Sequence, residues 1–311
     1  MRVLFSIAVL SLLAAPVAAA ELPEWAYPVA PPAGPPPDNT VQKTLPGSTK
    51  SYTAAQINDR FGPPDWYPED HPPMPGVVAQ GKKPSAFACD LCHLTNGAGH
   101  PESAGVSGLP LGYIIRQMAE FKSGVRKGMR APIMIGIAAA LTDEETKTAA
   151  EYFASLKYPK FYKVVETDMA PKSYVGNGAM RFAAQDGGTE PIGNRIIEIP
   201  ADEYRTEARD PRAEHIAYVP AGSISKGAKI VTTGADGKTI KCSICHGAEL
   251  KGLGEVPAIV GRSPEYIYRQ LNDIKIGTRN GAMVPLMKAV VTNLTDEDMI
   301  AIAAYLVSEA P

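Results

Sequence analysis

Beyond residue 20 the chain has no run of 18 uninterrupted apolar residues, so it offers no segment of the length a membrane helix needs. It also lacks an excess of charge of either sign. Its 31 Lys and Arg face 33 Asp and Glu, with no basic stripe and no poly-Lys run. That balance argues against a nucleic-acid partner. Histidine is scarce, at five, and cysteine scarcer, at four. No βαβ pattern surrounds the cysteines, which argues against a thioredoxin-like redox pair.

The first twenty residues are of a different kind. MRVLFSIAVLSLLAAPVAAA carries one basic residue, then an apolar run, then a small-residue end before Glu21. This is the pattern of a secretory signal peptide over 1–20. Pro16 interrupts the apolar run and leaves it short for a membrane anchor. Export makes disulfides permissible. The cysteine spacing points elsewhere. All four thiols fall in two copies of one pentapeptide, CDLCH at 89–93 and CSICH at 242–246.

The two copies belong to an internal repeat of period 153. From 89 to 155 the register holds without a gap, with 23 identities in 67 positions. Tyr113, Gln117, Arg126, Gly128 and Tyr152 fall on Tyr266, Gln270, Arg279, Gly281 and Tyr305. YIIRQMAEFKSG (113–124) and YIYRQLNDIKIG (266–277) have helical apolar spacing and end at Gly. The helices over 141–156 and 294–309 open on LTDE, with a Thr N-cap and acidic residues where the helix dipole favours them. An earlier helix is expected over 223–234 and a weaker one over 74–81. Between the copies, NRIIEIP and HIAYVP read as short strands. Residues 22–37, rich in proline, read as an exposed arm.

C-x-x-C-H is the attachment signature of a c-type haem. Two thiols three residues apart can each add to one vinyl group of the same porphyrin, and the adjacent His lies beneath the iron. A zinc site is a weaker reading, because adjacent Cys and His do not easily face one tetrahedral ion. Two disulfides would leave the repeated His unexplained. The motif therefore assigns thioether bonds to Cys89, Cys92, Cys242 and Cys245, and iron ligation to His93 and His246. The sixth ligands must come from elsewhere. Of ten methionines only Met134 and Met287 meet each other in the repeat, each two residues after a Pro. They are the expected axial partners, with core packing as the plain alternative and His100 as an alternative ligand in the first copy. The imidazole of each motif is expected to donate to a backbone carbonyl, that of Pro257 in the second copy and of Ala104 in the first. Arg126 and Arg279 read either as propionate partners or as solvated helix-end charges. Tyr113 and Tyr266 are candidates for lining the pocket, and Tyr152 and Tyr305 read as packing residues.

The two motifs, the Met134 and Met287 segments, and the paired YI(I/Y)RQ and LTDE helices resemble the dihaem class I cytochromes c of the cytochrome c4 type. The resemblance implies an all-α fold of two tandem class I cytochrome c domains. To these the chain adds a small β-containing inter-domain segment and an extended, Pro-rich N-terminal arm. The expected organisation is a signal peptide over 1–20, an arm over 21–73, domain 1 over 74–158, an inter-domain segment over 159–221 and domain 2 over 222–311. The resemblance further implies a periplasmic protein that binds two haem c groups and passes single electrons. Its expected partners are redox proteins: a membrane respiratory complex, a terminal oxidase or a periplasmic dehydrogenase. A dihaem enzyme of peroxidase or thiosulfate-oxidising type, and a cytochrome subunit of a dehydrogenase, are the alternatives. The enzyme would need an open or unusually ligated iron.

Overall fold

The computed structural model describes residues 22–32, 34 and 38–311. The expected signal peptide lies outside the described residues. Strands β1 (Gln42–Thr44) and β2 (Ser51–Thr53) pair antiparallel. They lead into α1 (Ala54–Ile57) and, after a loop, α2 (Gly76–Ala79). The first copy continues with α3 (Asp90–His93), α4 (Leu111–Lys122), α5 (Ala131–Ala140) and α6 (Asp143–Ser155).

The segment between the copies is mostly strand. It runs through β3 (Tyr162–Glu166), β4 (Met169–Pro171), β5 (Ser173–Val175), β6 (Arg181–Ala183), β7 (Thr189–Pro191) and β8 (Ile197–Pro200). Helix α7 (Glu203–Glu207) and β9 (His215–Val219) complete it. β9 lies between β3, to which it is parallel, and β8, to which it is antiparallel. The second copy then repeats the helical plan in α8 (Ser223–Thr233), α9 (Ser243–His246), α10 (Pro264–Ile276), α11 (Val284–Val291) and α12 (Asp296–Ser308).

The repeated helices form for reasons the sequence supplies. Thr142 and Thr295 each close a capping box, accepting from the N–H of Glu145 and Asp298 while those carboxylates accept from the Thr N–H. α10 ends on Gly277 in the left-handed region. α12 is buried along most of its length and crosses α8 where Gly227 offers no side chain. A Cβ there would run into the Ala301 carbonyl. Each Met, Ile or Leu that α12 buries contributes about 1.5–3 kcal/mol. Tyr152 and Tyr305 pack inside their own copies, Tyr152 beside Val78 of α2 and Tyr305 against α8 at Gly227.

Two expectations need correction. Among the described residues the repeated helical units carry no strands, but nine strands occupy the arm and the segment between the copies, so the β content exceeds the small inter-domain element expected. Nor is the arm exposed throughout: residues 29–32 and 38–42 are exposed, but large aromatics of the arm are not. Trp66 and Tyr67 are fully buried, and the Trp66 indole donates to the Ala208 carbonyl at 2.7 Å. Tyr27 is buried against the second copy and donates to Asp273 at 2.9 Å. Proline density forbids a regular helix but leaves large aromatics free to find apolar cover.

Candidate haem sites and the interface between them

Each motif forms one short helical turn followed by a residue with positive φ, Leu94 in the first copy and Gly247 in the second. The chain then loops back so that a carbonyl meets the imidazole. His93 Nδ1 lies 2.7 Å from the Ala104 oxygen, and His246 Nδ1 lies 2.7 Å from the Pro257 oxygen. A carbonyl only accepts, so Nδ1 carries the proton and Nε2 keeps its lone pair. The loop closes this tightly because Gly99 and Gly252 have positive φ and no Cβ. A side chain at Gly99 would strike the Ser103 and Ala104 carbonyls, and one at Gly252 the Val256 carbonyl. Burial holds both imidazoles below their ordinary range, in the neutral form that ligates a metal.

The structure brings all eight candidate residues to one continuous cavity of about 1430 Å³. Single-ligand pockets run to roughly 300–1,000 Å³, so this volume suits two groups of porphyrin size. Met134 stands on α5 and Met287 on α11, each helix with a Pro in its first turn. All four thiols are unpaired, so the disulfide reading falls. Among the described residues no three His, Cys, Asp or Glu side chains gather as a metal-ligand set, so the zinc reading lacks its remaining ligands. Two unpaired thiols beside a neutral imidazole, facing a largely apolar cavity with a Met on its wall, fit a covalently attached haem. His100 also lines the cavity with neither ring nitrogen hydrogen-bonded.

The two copies meet through their own repeated residues. Arg126 donates to Gln117 at 2.8 Å and across the interface to Gln270 at 3.0 Å and Tyr266 at 3.2 Å. Arg279 mirrors it, donating to Gln270 at 2.9 Å and across to Tyr113 at 3.0 Å and Gln117 at 3.1 Å. Below them the Lys127 N–H donates to the Thr278 carbonyl at 2.8 Å, and the Asn280 N–H to the Val125 carbonyl at 3.2 Å. Gly128 and Gly281 lie under the carboxylates of Asp273 and Glu120 respectively, where a Cβ would collide. Each arginine, tyrosine and glutamine here lines the cavity between the motifs. Arg126 and Arg279 are therefore not solvated helix-end charges, and Tyr113 and Tyr266 do line the pocket.

Three residues escaped the sequence reading. Arg262 donates across the interface to the carbonyls of Gly105 at 2.7 Å and Ser107 at 3.2 Å. Arg209 of the inter-domain segment donates to the Leu91 carbonyl, inside the first motif, at 2.6 Å. His215 of β9 is buried on the cavity wall with both ring nitrogens unpartnered. Arg262 falls on Leu109 in the repeat, and Arg209 and His215 fall outside it, so the register could not single them out.

A duplicated helical unit with a C-x-x-C-H turn in each copy defines a dihaem c-type cytochrome. The family model for cytochrome c matches residues 224–309. Cytochrome c-554(548) of Halomonas halodenitrificans is 35% identical over 69 residues, covering 22% of this chain and 83% of that protein. The chain belongs to the cytochrome c family, and its further matches to cytochrome c4 sequences place it with the two-haem, cytochrome c4-like members. It carries covalently bound haem c. A protein of Stutzerimonas stutzeri described as a thiosulfate dehydrogenase electron acceptor is 27% identical over 232 residues, 72% of this chain and 80% of that one. In fold, the chain is similar to thiosulfate dehydrogenase (TsdBA) from Marichromatium purpuratum. The TM-score is 0.51 at 22% identity, over 75% of this chain and 39% of that one. No described helix is long and apolar enough to cross a membrane.

Proposed function

We propose that this cytochrome is a periplasmic electron acceptor that takes electrons singly from a dehydrogenase and passes them to a respiratory chain. The observation that carries this reading is the pair of C-x-x-C-H turns opening on one cavity, each with its imidazole fixed by a carbonyl and a register-matched methionine on the wall. His93 and Met134 would hold one haem iron, and His246 and Met287 the other. Each haem c supplies a one-electron Fe(III)/Fe(II) couple when bound, and a thioether ligand favours the ferrous side. With His and Met both engaged, no position remains for peroxide or another substrate.

The residues between the sites serve the transfer step. Arg126 and Arg279 hold the two copies in one arrangement through paired donors, which fixes the distance the electron crosses. Their guanidinium groups line the cavity, where they would offer positive charge to the carboxylates of a bound haem. The match to two thiosulfate dehydrogenase electron acceptors supports a thiosulfate dehydrogenase as the donor. A pair of one-electron sites suits a dehydrogenase that releases two electrons per turnover.

The test is stopped-flow mixing of the oxidised cytochrome with a thiosulfate dehydrogenase and thiosulfate. Reduction of two haems per chain is expected, with none when the dehydrogenase is omitted. Thiosulfate or peroxide turnover by the cytochrome alone would mark it as an enzyme and overturn the reading.

A further inference from the structure

One guanidinium reaches the same backbone position in both copies. Arg262 of the second copy donates through Nε to the Ala258 carbonyl at 3.1 Å and through Nη1 to the Gly105 carbonyl at 2.7 Å. Gly105 and Ala258 are counterparts in the repeat. Each directly follows the residue whose carbonyl meets a motif imidazole, Ala104 for His93 and Pro257 for His246. A third donor, Nη2, goes to the Ser107 carbonyl at 3.2 Å. The arginine breaks the repeat, since its counterpart is the buried, apolar Leu109. A charge costs far more to bury than a leucine. Yet Arg262 is 4% exposed, with its donors spent on backbone carbonyls of both copies. The guanidinium lies 4.3 Å from the centre of the Tyr158 ring, and the same ring closes over Gly105, where a Cβ would strike it. The two loops need this support unequally. Pro257 has its φ fixed by its own ring. In the first copy Ala104 is followed by Gly105, whose backbone turns more freely.

We propose that Arg262 is a positioning residue for both haem sites: one guanidinium pins the carbonyl loop of each copy, so the hydrogen bonds that orient His93 and His246 share a single support. The imidazole of the first copy is then set in part by a side chain of the second. A planar fork with donors in fixed directions suits this task, because it reaches two loops at once without swinging toward either. An imidazole that donates to a firmly held acceptor is the more basic ligand. The same arginine therefore tunes the ligand at both irons. This rests on the imidazole ligation proposed above and is independent of which protein donates the electrons.

The test is proton NMR of the oxidised, haem-loaded protein, in which ferric iron shifts the Nδ1–H of each ligating imidazole clear of the other signals. Met134→Ala and Met287→Ala assign each signal to its copy. Exchange of these protons with heavy water is then followed in the wild type, Arg262→Leu, Arg262→Lys and Thr295→Ala. Arg262→Leu gives this position the side chain of its counterpart and removes all three donors. Arg262→Lys keeps the charge but not the fork. Both should speed exchange at His93 by about tenfold or more, the scale of one lost hydrogen-bond support, with a smaller rise at His246. Thr295→Ala weakens the second copy at a helix cap and should leave His93 at the wild-type rate. A wild-type rate at His93 in either arginine variant overturns the proposal. So does the same rise in Thr295→Ala, which would make the effect one of stability alone. A change confined to His246 also overturns it, because the arginine would then serve only its own copy. Should Arg262→Leu fail to fold, the milder Arg262→Lys decides by the same criterion. A wild type with no such signal from either imidazole would sink the ligation and this inference with it, whereas unchanged exchange in the variants sinks this inference alone.

Discussion

At the scale of single residues, the proposed sites rest on two thiols, one imidazole and one thioether per copy, at the same spacing in both. The thioethers give the sharpest expectation. Met134→Ala and Met287→Ala should each yield a reduced protein that binds carbon monoxide at about one haem per chain, whereas the wild type binds little, as followed by the Soret shift. Asp90, between the first two cysteines, gives a second. Its carboxylate is buried with no hydrogen-bond partner, and burial pushes its pKa up to about 7. The unfolded chain ionises this group near pH 4 and the folded chain only near 7. The protonated side chain is therefore tolerated at low pH, and stability falls as pH rises between those values. Asp90→Asn should remove that slope and stabilise the protein at pH 8 by about 1–3 kcal/mol in denaturant titration, with little change at pH 4. The motif residues and the pairing of the two methionines are legible in the sequence because the repeat sets them side by side. His215 is not, because an isolated His in an alternating strand carries no signal of what its ring faces.

At the scale of elements, the duplicated helices were readable from their ends. Thr142 and Thr295 cap, acidic residues follow, and Gly277 stops α10, all by local chemistry that needs no tertiary context. Thr295→Ala should cost about 1 kcal/mol through the lost capping box, measured by thermal melting. Gly227→Ala should cost more, about 1–3 kcal/mol, because the crossing of α8 and α12 leaves no room for a methyl group. The arm was not readable in the same way. Its proline density was clear, but its fold depends on Trp66 and Tyr67 finding cover on α7 and the residues after it, contacts spanning more than 130 residues. Short strands near 197–200 and 215–219 were legible as strands. Their joining into a sheet with β3 was not, since a parallel pairing has no local signature.

At the scale of the whole molecule, duplication does more than double the haem count. Repeated residues outside the motif, Tyr113, Gln117 and Arg126 with their counterparts, face across the interface, so each copy completes the other's hydrogen bonds. Sequence identity showed that they matter in both copies but not that their partners lie in the opposite one. Arg126→Leu together with Arg279→Leu should strip that interface of its shared donors. We expect single cooperative unfolding in the wild type to split into two calorimetric transitions. Because a shielded cation disfavours the more positive ferric state, both midpoint potentials should also fall.

Two haems, each held by a His and a Met, would let one chain store two electrons. A redox titration that follows the weak long-wavelength absorption band of methionine ligation to ferric iron decides this. The oxidised protein is expected to show this band at the intensity of two such haems, to lose it with the uptake of two electrons per chain, and to lose about half of it in each of Met134→Ala and Met287→Ala. Half the intensity in the wild type, or a band untouched by either substitution, would contradict it.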